Sequence, residues 1–362
     1  MEKPSICIDC RMWGRQYAGI GRYTQEIVSY LLTHRDWSFS LLVNDNSYSE
    51  LHEFLKTNAL NNVVLKHCSA GLFSIKAQYE FVKNVPSCDI LWVPSINVPV
   101  FPTKAKKMVT TIHDVFHLAH PEYYSKIKLI ILKGLIGRAV KCSNLILTVS
   151  DFSADEIVRF YGEGGRNKIA RVYNGYNDVS YEKESIFGEG MKYLLFVGSI
   201  KPHKNLKNAL LAYEKYVKEN NDLHFVIVGK KEGFVTGDND LYEIVSRINQ
   251  NDENVIFTGN VNDNALYSLY ASADSFIMPS YYEGFGIPLI EAMYFKLPII
   301  CSDIPVFHEL CGEQVLYFNP YDVDSIYESI KETSNLKHRD YAPWLKWAEV
   351  GEQVAEIIEK QF

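Results

Sequence analysis

Glu283 and Glu291 are separated by seven residues in the stretch Pro-Ser-Tyr-Tyr-Glu-Gly-Phe-Gly-Ile-Pro-Leu-Ile-Glu-Ala, residues 279–292. Gly284 and Gly286 flank Phe285, and a pair of glycines at this spacing predicts a tight turn. A helix is predicted from Ile287 to Phe295, because Pro288 fits a first turn, where its missing N–H costs nothing. The N–H groups of such a turn and helix start point the same way, and together with the helix dipole they form an anion site. One carboxylate just before that cradle and another about one helical turn into the helix suit a ligand that carries both an anion and hydroxyls. A nucleotide sugar is such a ligand. A cation for its phosphates is available at Lys204. The run Tyr193-Leu-Leu-Phe-Val reads as a strand ending at Gly198, and Lys204 is predicted at the start of the next helix, on the side where a phosphate would rest.

Other groups invite chemistry less strongly. His113 and Asp114 follow an apolar run, Met108–Ile112, and so sit at the carboxyl end of a predicted strand. His117 and His120 lie close by in sequence, but the spacing is not a recognised metal-ligand set. Asp238-Asn-Asp240 precedes an amphipathic helix and reads as capping. Cys7 and Cys10 form a CxxC inside a strand-like run, where their side chains would point to opposite faces. Gly19 and Gly21 lie in Tyr17-Ala-Gly-Ile-Gly-Arg-Tyr, read as a loop between the strand Ser5–Asp9 and a helix running to about His34. A glycine-rich turn at that place is a ligand edge in doubly wound folds. The third glycine of the dinucleotide fingerprint is missing, which excludes a plain NAD site.

The elements that must hold these residues alternate between strand and helix. Strands are expected near Phe39–Val43, Val63–Lys66, Ile90–Val93, Leu145–Val149, His224–Gly229, Val255–Thr258, Asp274–Met278 and Pro298–Cys301. That series implies parallel sheets with helices on both faces, and ligands collect at the carboxyl ends of such strands. The length of 362 residues suggests about two domains. A net charge of −7 argues against a general nucleic-acid binder. No apolar run reaches the roughly 18 residues that cross a bilayer. Seven scattered cysteines fit reduced thiols, and the N-terminus reads as a folded start, so a cytoplasmic location is expected. Lys126–Lys141 reads as a basic, apolar-rich helix preceded by Lys104, Lys106 and Lys107. It is either an ordinary sheet-packing helix or a face for anionic lipid.

Glu283 and Glu291 in their EGFGIPLIEA setting resemble the E-x7-E motif of the family 4 glycosyltransferases, retaining enzymes of the GT-B fold. The runs YAGIGRYT, TVSDFSADEI, Tyr173-Asn-Gly-Tyr and Trp344-Leu-Lys-Trp-Ala-Glu-Val are similar to segments of the same family. The resemblance covers nearly the whole chain and is densest from Gly198 to Pro320. It implies two Rossmann-like domains facing across a cleft: an acceptor domain at 1–178, a linker at 179–190, a nucleotide-sugar domain at 191–340, and a helix at 341–362 crossing back to the first domain. It implies that Glu283 holds donor-sugar hydroxyls, that Glu291 binds the ribose, and that His113 lies near the reacting centre. Gly19 and Gly21 match the glycines that let the donor diphosphate approach. The turn from Gly284 through Phe285 and Gly286 to Ile287 completes the donor site, with Gly198. Lys204 matches the family's lysine. The family's arginine is absent, with Ser199 in its place, and Lys201 or His203 is left to supply the second charge.

The same resemblance, strongest to bacterial mannosyltransferases of surface-polysaccharide assembly, implies transfer of a hexose from a nucleotide sugar to a saccharide acceptor, a lipid-linked one at the inner face of a membrane. GDP-mannose is the donor it suggests. UDP- or dTDP-sugar transfer, or a non-catalytic saccharide-binding subunit, stays open, the last because of Ser199. No cofactor and no metal are expected.

Overall fold

The computed structural model of the chain describes residues 3–178, 180–188, 190–220, 222–229 and 239–362. It divides into two compact units, one of Met1–Gly175 with Leu345–Phe362, the other of Tyr176–Trp344.

The first unit holds strands β1 (Ser5–Asp9), β2 (Ser38–Val43), β3 (Val63–His67), β4 (Cys88–Val93), β5 (Ala105–Thr111), β6 (Leu145–Thr148) and β7 (Ile169–Arg171). Their order in the sheet is β3-β2-β1-β4-β5-β6-β7, and every pairing is parallel. Such strands are covered on both faces, so they read as continuous apolar runs rather than alternating ones. Ile6, Cys7 and Ile8 of β1 and Ile90 to Val93 of β4 are fully buried accordingly. Order reverses between β1 and β4, and this switch point is where a doubly wound sheet opens a crevice for ligands.

Helix Ala18–His34 covers this sheet through Tyr23, Ile27, Val28, Leu31 and Leu32. It starts earlier than its sequence suggests, so Gly19 and Gly21 belong to its first turn and not to a loop. Gly21 has a packing reason: a Cβ there would lie 1.9 Å from the Gly14 carbonyl oxygen. Helix Trp347–Glu359 packs on the outer side of Ala18–His34. A Cβ on Gly351 would lie 2.4 Å from Tyr30 Cγ, so the two helices approach closely there. Arg35 ties them further, donating to Glu352 at 2.6 Å and Glu359 at 2.8 Å. A Cβ on Gly175 would fall 2.7 Å from the Trp347 backbone nitrogen, so the chain's departure from this unit runs beside its return.

The second unit repeats the plan with β8 (Tyr193–Val197), β9 (His224–Val228), β10 (Val255–Gly259), β11 (Ser275–Met278), β12 (Ile299–Ser302) and β13 (Leu316–Phe318). The order is β10-β9-β8-β11-β12-β13, again parallel throughout, with the switch point between β8 and β11. β7 and β13, three residues each, are absent from the sequence reading because so short a run carries no periodicity. Residues 180–188, read as part of a linker, group with the second unit. The Glu184 N–H donates to Ser268 at 2.8 Å, and the Tyr181 ring packs near Tyr267 and Phe295.

Candidate active site

The candidate residues fall into two groups, one in each unit. In the second unit they gather at the switch point. β8 ends at Val197, and the N–H of the following Gly198 donates to the Val228 carbonyl. The chain then passes Ser199 and an exposed Lys201 into a 3₁₀ turn, Pro202–Lys204, before helix Leu206–Glu219. Lys204 therefore sits in the turn ahead of the helix, not on its first residues. Asn205 makes the junction with φ of +54°, a left-handed conformation that asparagine tolerates better than most residues. Its side chain donates to the Pro320 carbonyl at 2.8 Å.

β11 delivers the opposite wall. Beyond Met278 the Tyr281 N–H donates to the His203 carbonyl at 2.8 Å, which clips the two loops together. This places Lys204 Nζ 2.5 Å from Glu283 Oε1, the same oxygen that accepts from Ser280 Oγ at 2.7 Å. Both charged side chains are mostly covered, at 17% and 11% exposure, so the pair interacts across little water. Burial pushes the Glu283 pKa up, but Lys204 and then His203 outweigh it, helped by hydrogen bonds from Lys204 and Ser280, and the net direction is down. His203 thus acts on Glu283 through space.

After Glu283 the chain turns through Gly284, Phe285 and Gly286. Only Gly286 needs to be glycine for its conformation, with φ of +125°. Gly284 has no such φ. Phe285 is buried and packs 5.9 Å from the Trp344 ring, which anchors the turn. Gly286 then caps helix Ile287–Tyr294 without any side-chain bond, and its carbonyl takes the Leu289 N–H. Among the described residues, neither the Gly286 nor the Ile287 N–H has an acceptor. These are the amides that a helix N-terminus offers to an anion. Glu291, one turn on, is buried and accepts from Tyr270 Oη at 2.9 Å. Ser280, Tyr281 and Tyr270 hold the three key groups, yet the sequence reading passed over them. Ser280 and Tyr281 stand in the motif's own stretch, three and two residues before Glu283; nothing in the sequence marks Tyr270.

In the first unit His113 follows β5. Its Nε2 lies 3.0 Å from the Pro94 carbonyl at the end of β4, so Nε2 carries the proton and Nδ1 is the acceptor. The Tyr23 ring meets it edge-on at 4.8 Å. Asp114 accepts the Phe116 N–H at 2.9 Å and so starts a short helix, Phe116–Ala119. Gly19 lies exposed at the start of helix Ala18–His34, which Tyr17 does not cap with its side chain. The amides expected from a glycine turn thus belong to a helix N-terminus.

Burial lowers the pKa of His113, against the pull of the Pro94 carbonyl and Asp114. Burial lowers that of His117 too, with Asp114 opposing and Lys128 adding. Folded values below 6.5 mean that the unfolded chain takes up protons that the fold refuses. Stability is therefore complete above pH 6.5 and declines as pH falls below it, by about 1.4 kcal/mol per pH unit for each histidine until the folded rings titrate. Glu283 acts lower, stabilising above its unfolded value of about 4.5 and losing that effect as pH falls. We expect the thermal midpoint to drop between pH 7 and pH 5.5, and to drop less in His117→Gln. A flat profile in the parent chain would overturn this.

Asp240 is paired with Lys207 at 2.5 Å on helix Asn239–Ile248, while Asp238 lies outside the described residues. No group of three metal-binding side chains occurs among the described residues.

Comparison with known proteins bears on the family and the fold. Residues 17–179 match the family model described as Glycosyltransferase Family 4, and residues 180–342 the model for glycosyl transferases group 1. O-antigen chain mannosyltransferase B of Escherichia coli is 30% identical over 338 residues, covering 85% of this chain and 84% of that protein. O-antigen chain mannosyltransferase RfbU of Salmonella typhimurium is 32% identical over 231 residues, 64% of this chain and 62% of the relative. Among solved structures, Anabaena HepE in complex with UDP and glucose superposes with a TM-score of 0.72 at 15% identity, over 99% of this chain and all (100%) of the other. The chain is a member of glycosyltransferase family 4 with the GT-B fold.

Proposed function

We propose that this glycosyltransferase moves a mannosyl residue from GDP-mannose to a lipid-linked saccharide in O-antigen assembly, with retention of the anomeric configuration and without a metal ion. The observation that carries the reading is the Lys204–Glu283 pair beside the two unclaimed amides of Gly286 and Ile287. A donor diphosphate needs positive partners where its charge grows, and a lysine with a helix N-terminus meets that need. Glu283 then orients the sugar hydroxyls, and Glu291, fixed by Tyr270, takes the ribose hydroxyls. The bond from the anomeric carbon to the diphosphate oxygen breaks, the acceptor oxygen bonds to that carbon on the same face, and its proton passes to the leaving phosphate. No side-chain base is required. The choice of mannose leans on the relatives named as mannosyltransferases. The basic helix near Lys126 would keep the enzyme at the anionic membrane where a lipid-linked acceptor resides.

Incubated with GDP-mannose and an acceptor oligosaccharide, the protein should release GDP at the same rate with and without excess EDTA. UDP-glucose should give far less nucleotide, and product NMR should show an unchanged anomeric configuration. Activity abolished by EDTA and restored by manganese would return Asp240 to consideration and end the metal-free reading.

A further inference from the structure

A cavity of about 410 Å³ lies in the first unit between helix Ala18–His34 and helix Asp45–Thr57, beyond the carboxyl end of β1. That volume is in the range of small-molecule sites, roughly 300–1,000 Å³. Local turns shape it. Gly14, with φ of +103°, turns the segment after β1 where Trp13 joins the cavity wall. Asn44 caps helix Asp45–Thr57 by accepting the Ser47 N–H at 3.0 Å, and its amide donates to the Arg11 carbonyl at 3.0 Å. The helix start is thereby tied to the same segment. Leu51 and Leu55 turn inward and are buried, so Glu50, Phe54 and Asn58, each four residues on, form the neighbouring row along the cavity. The Phe54 and Trp13 rings pack with centroids 5.8 Å apart. Glu53 lines the same space, and so does Gln25 from helix Ala18–His34. Tyr23, two residues earlier and so about 200° around that helix, is the residue that meets His113. The cavity is therefore separate from the His113 site. Trp13 is 1% exposed, and its indole N–H has no acceptor among the described residues. Among the same residues Gln25, Glu50 and Glu53 form no hydrogen bond or ion pair through their side chains. No Lys, Arg or His is among the described residues that line the cavity.

We propose that this cavity is a second saccharide site, which holds a neutral stretch of glycan by its hydroxyls at a place apart from the reacting centre. The lining decides the class of ligand. Two carboxylates with no cation beside them repel phosphates, nucleotides and anionic headgroups. A neutral sugar supplies what the lining lacks. Its hydroxyls donate to Glu50 and Glu53, in charge-assisted hydrogen bonds. Its oxygens accept from the Gln25 amide and the Trp13 N–H. Its apolar C–H face lies on the Phe54 ring, which is half-buried and so keeps one side open. The site rests on the proposed function only for its purpose, which is to keep hold of a glycan while the enzyme extends its end.

The test is a ligand-observed NMR titration of the full chain, with and without GDP, against α-mannotetraose, maltotetraose, cellotetraose and chitotetraose. At least one of the four should bind, with an affinity that GDP does not change. Glu50→Ala combined with Glu53→Ala should lower that affinity by about tenfold or more, as the loss of charge-assisted hydrogen bonds requires. Phe54→Leu keeps an apolar contact with Trp13 but removes the ring, and should lower it about two- to tenfold. Thermal midpoints of the glutamate variants should match the parent, since both side chains are exposed. No binding of any of the four to the parent, or unchanged binding in the double glutamate variant, would overturn the proposal. So would binding of spermidine and of no saccharide, lost in the same variant, because the cavity would then be a cation site. The proposed transfer fails separately. Saccharide binding that needs Glu50 and Glu53, in a protein that releases no GDP from GDP-mannose, would remove the activity and leave the site standing.

Discussion

Lys204→Ala should lower the rate of sugar transfer by about two to three orders of magnitude, the effect of deleting one preorganised donor to a developing charge. It should also destabilise the fold. A solvated helix lysine would contribute little to folding, as its sequence position suggests. In the structure, however, Lys204 is largely covered and neutralises Glu283. Its loss strands a covered carboxylate, at a cost of about 1–3 kcal/mol. The two effects separate in a double variant. Adding Glu283→Gln to Lys204→Ala removes the stranded charge and should restore most of the thermal midpoint while leaving transfer as slow as before. An unchanged rate in a folded Lys204→Ala protein would take Lys204 out of the reaction.

The second large effect is expected at Glu291. A carboxylate that accepts from both ribose hydroxyls makes charge-assisted hydrogen bonds. Replacing it by a neutral amide should raise the dissociation constant for GDP about tenfold or more, since such bonds contribute about 1.5–3 kcal/mol. Glu291→Gln is the informative change, because the amide oxygen still accepts from Tyr270 and the buried site stays filled. Glu291→Ala would also leave a cavity and an unpaired phenol. Calorimetry on both Glu291→Gln and Tyr270→Phe separates binding from positioning: the first should be the weaker binder. Equal affinity of Glu291→Gln and the parent would refute the ribose role.

The sheets were largely legible because parallel strands advertise themselves. Ile6-Cys7-Ile8 and Tyr193-Leu-Leu-Phe-Val are unbroken apolar runs, as burial on both faces requires. The glutamates and the lysine were legible as residue types in a telling context. Their arrangement was not. Lys204 and Glu283 meet because the Tyr281 amide reaches the His203 carbonyl, a bond between loops that are distant in sequence. Local pattern cannot show it. The start of helix Ala18–His34 was misjudged for a related reason: glycines signal a break, yet Gly21 is there to let a helix pass over the Gly14 carbonyl. The exposed isoleucines Ile127, Ile130 and Ile131 are hidden in a different way. Lys126–Cys142 is apolar nearly all round, so its sequence does not say which side turns inward.

The first unit is discontinuous along the chain, and this sets an order on its biosynthesis. Residues 5–171 can pair their seven strands as they leave the ribosome, but Tyr23, Tyr30 and Arg35 must wait for Trp347, Gly351 and Glu352, which are translated after the whole of the second unit. The usual sequence, in which an N-terminal domain finishes first, is therefore reversed. The second unit closes while the first still bares one side of helix Ala18–His34 to solvent, and synthesis of helix Trp347–Glu359 is the step that seals it.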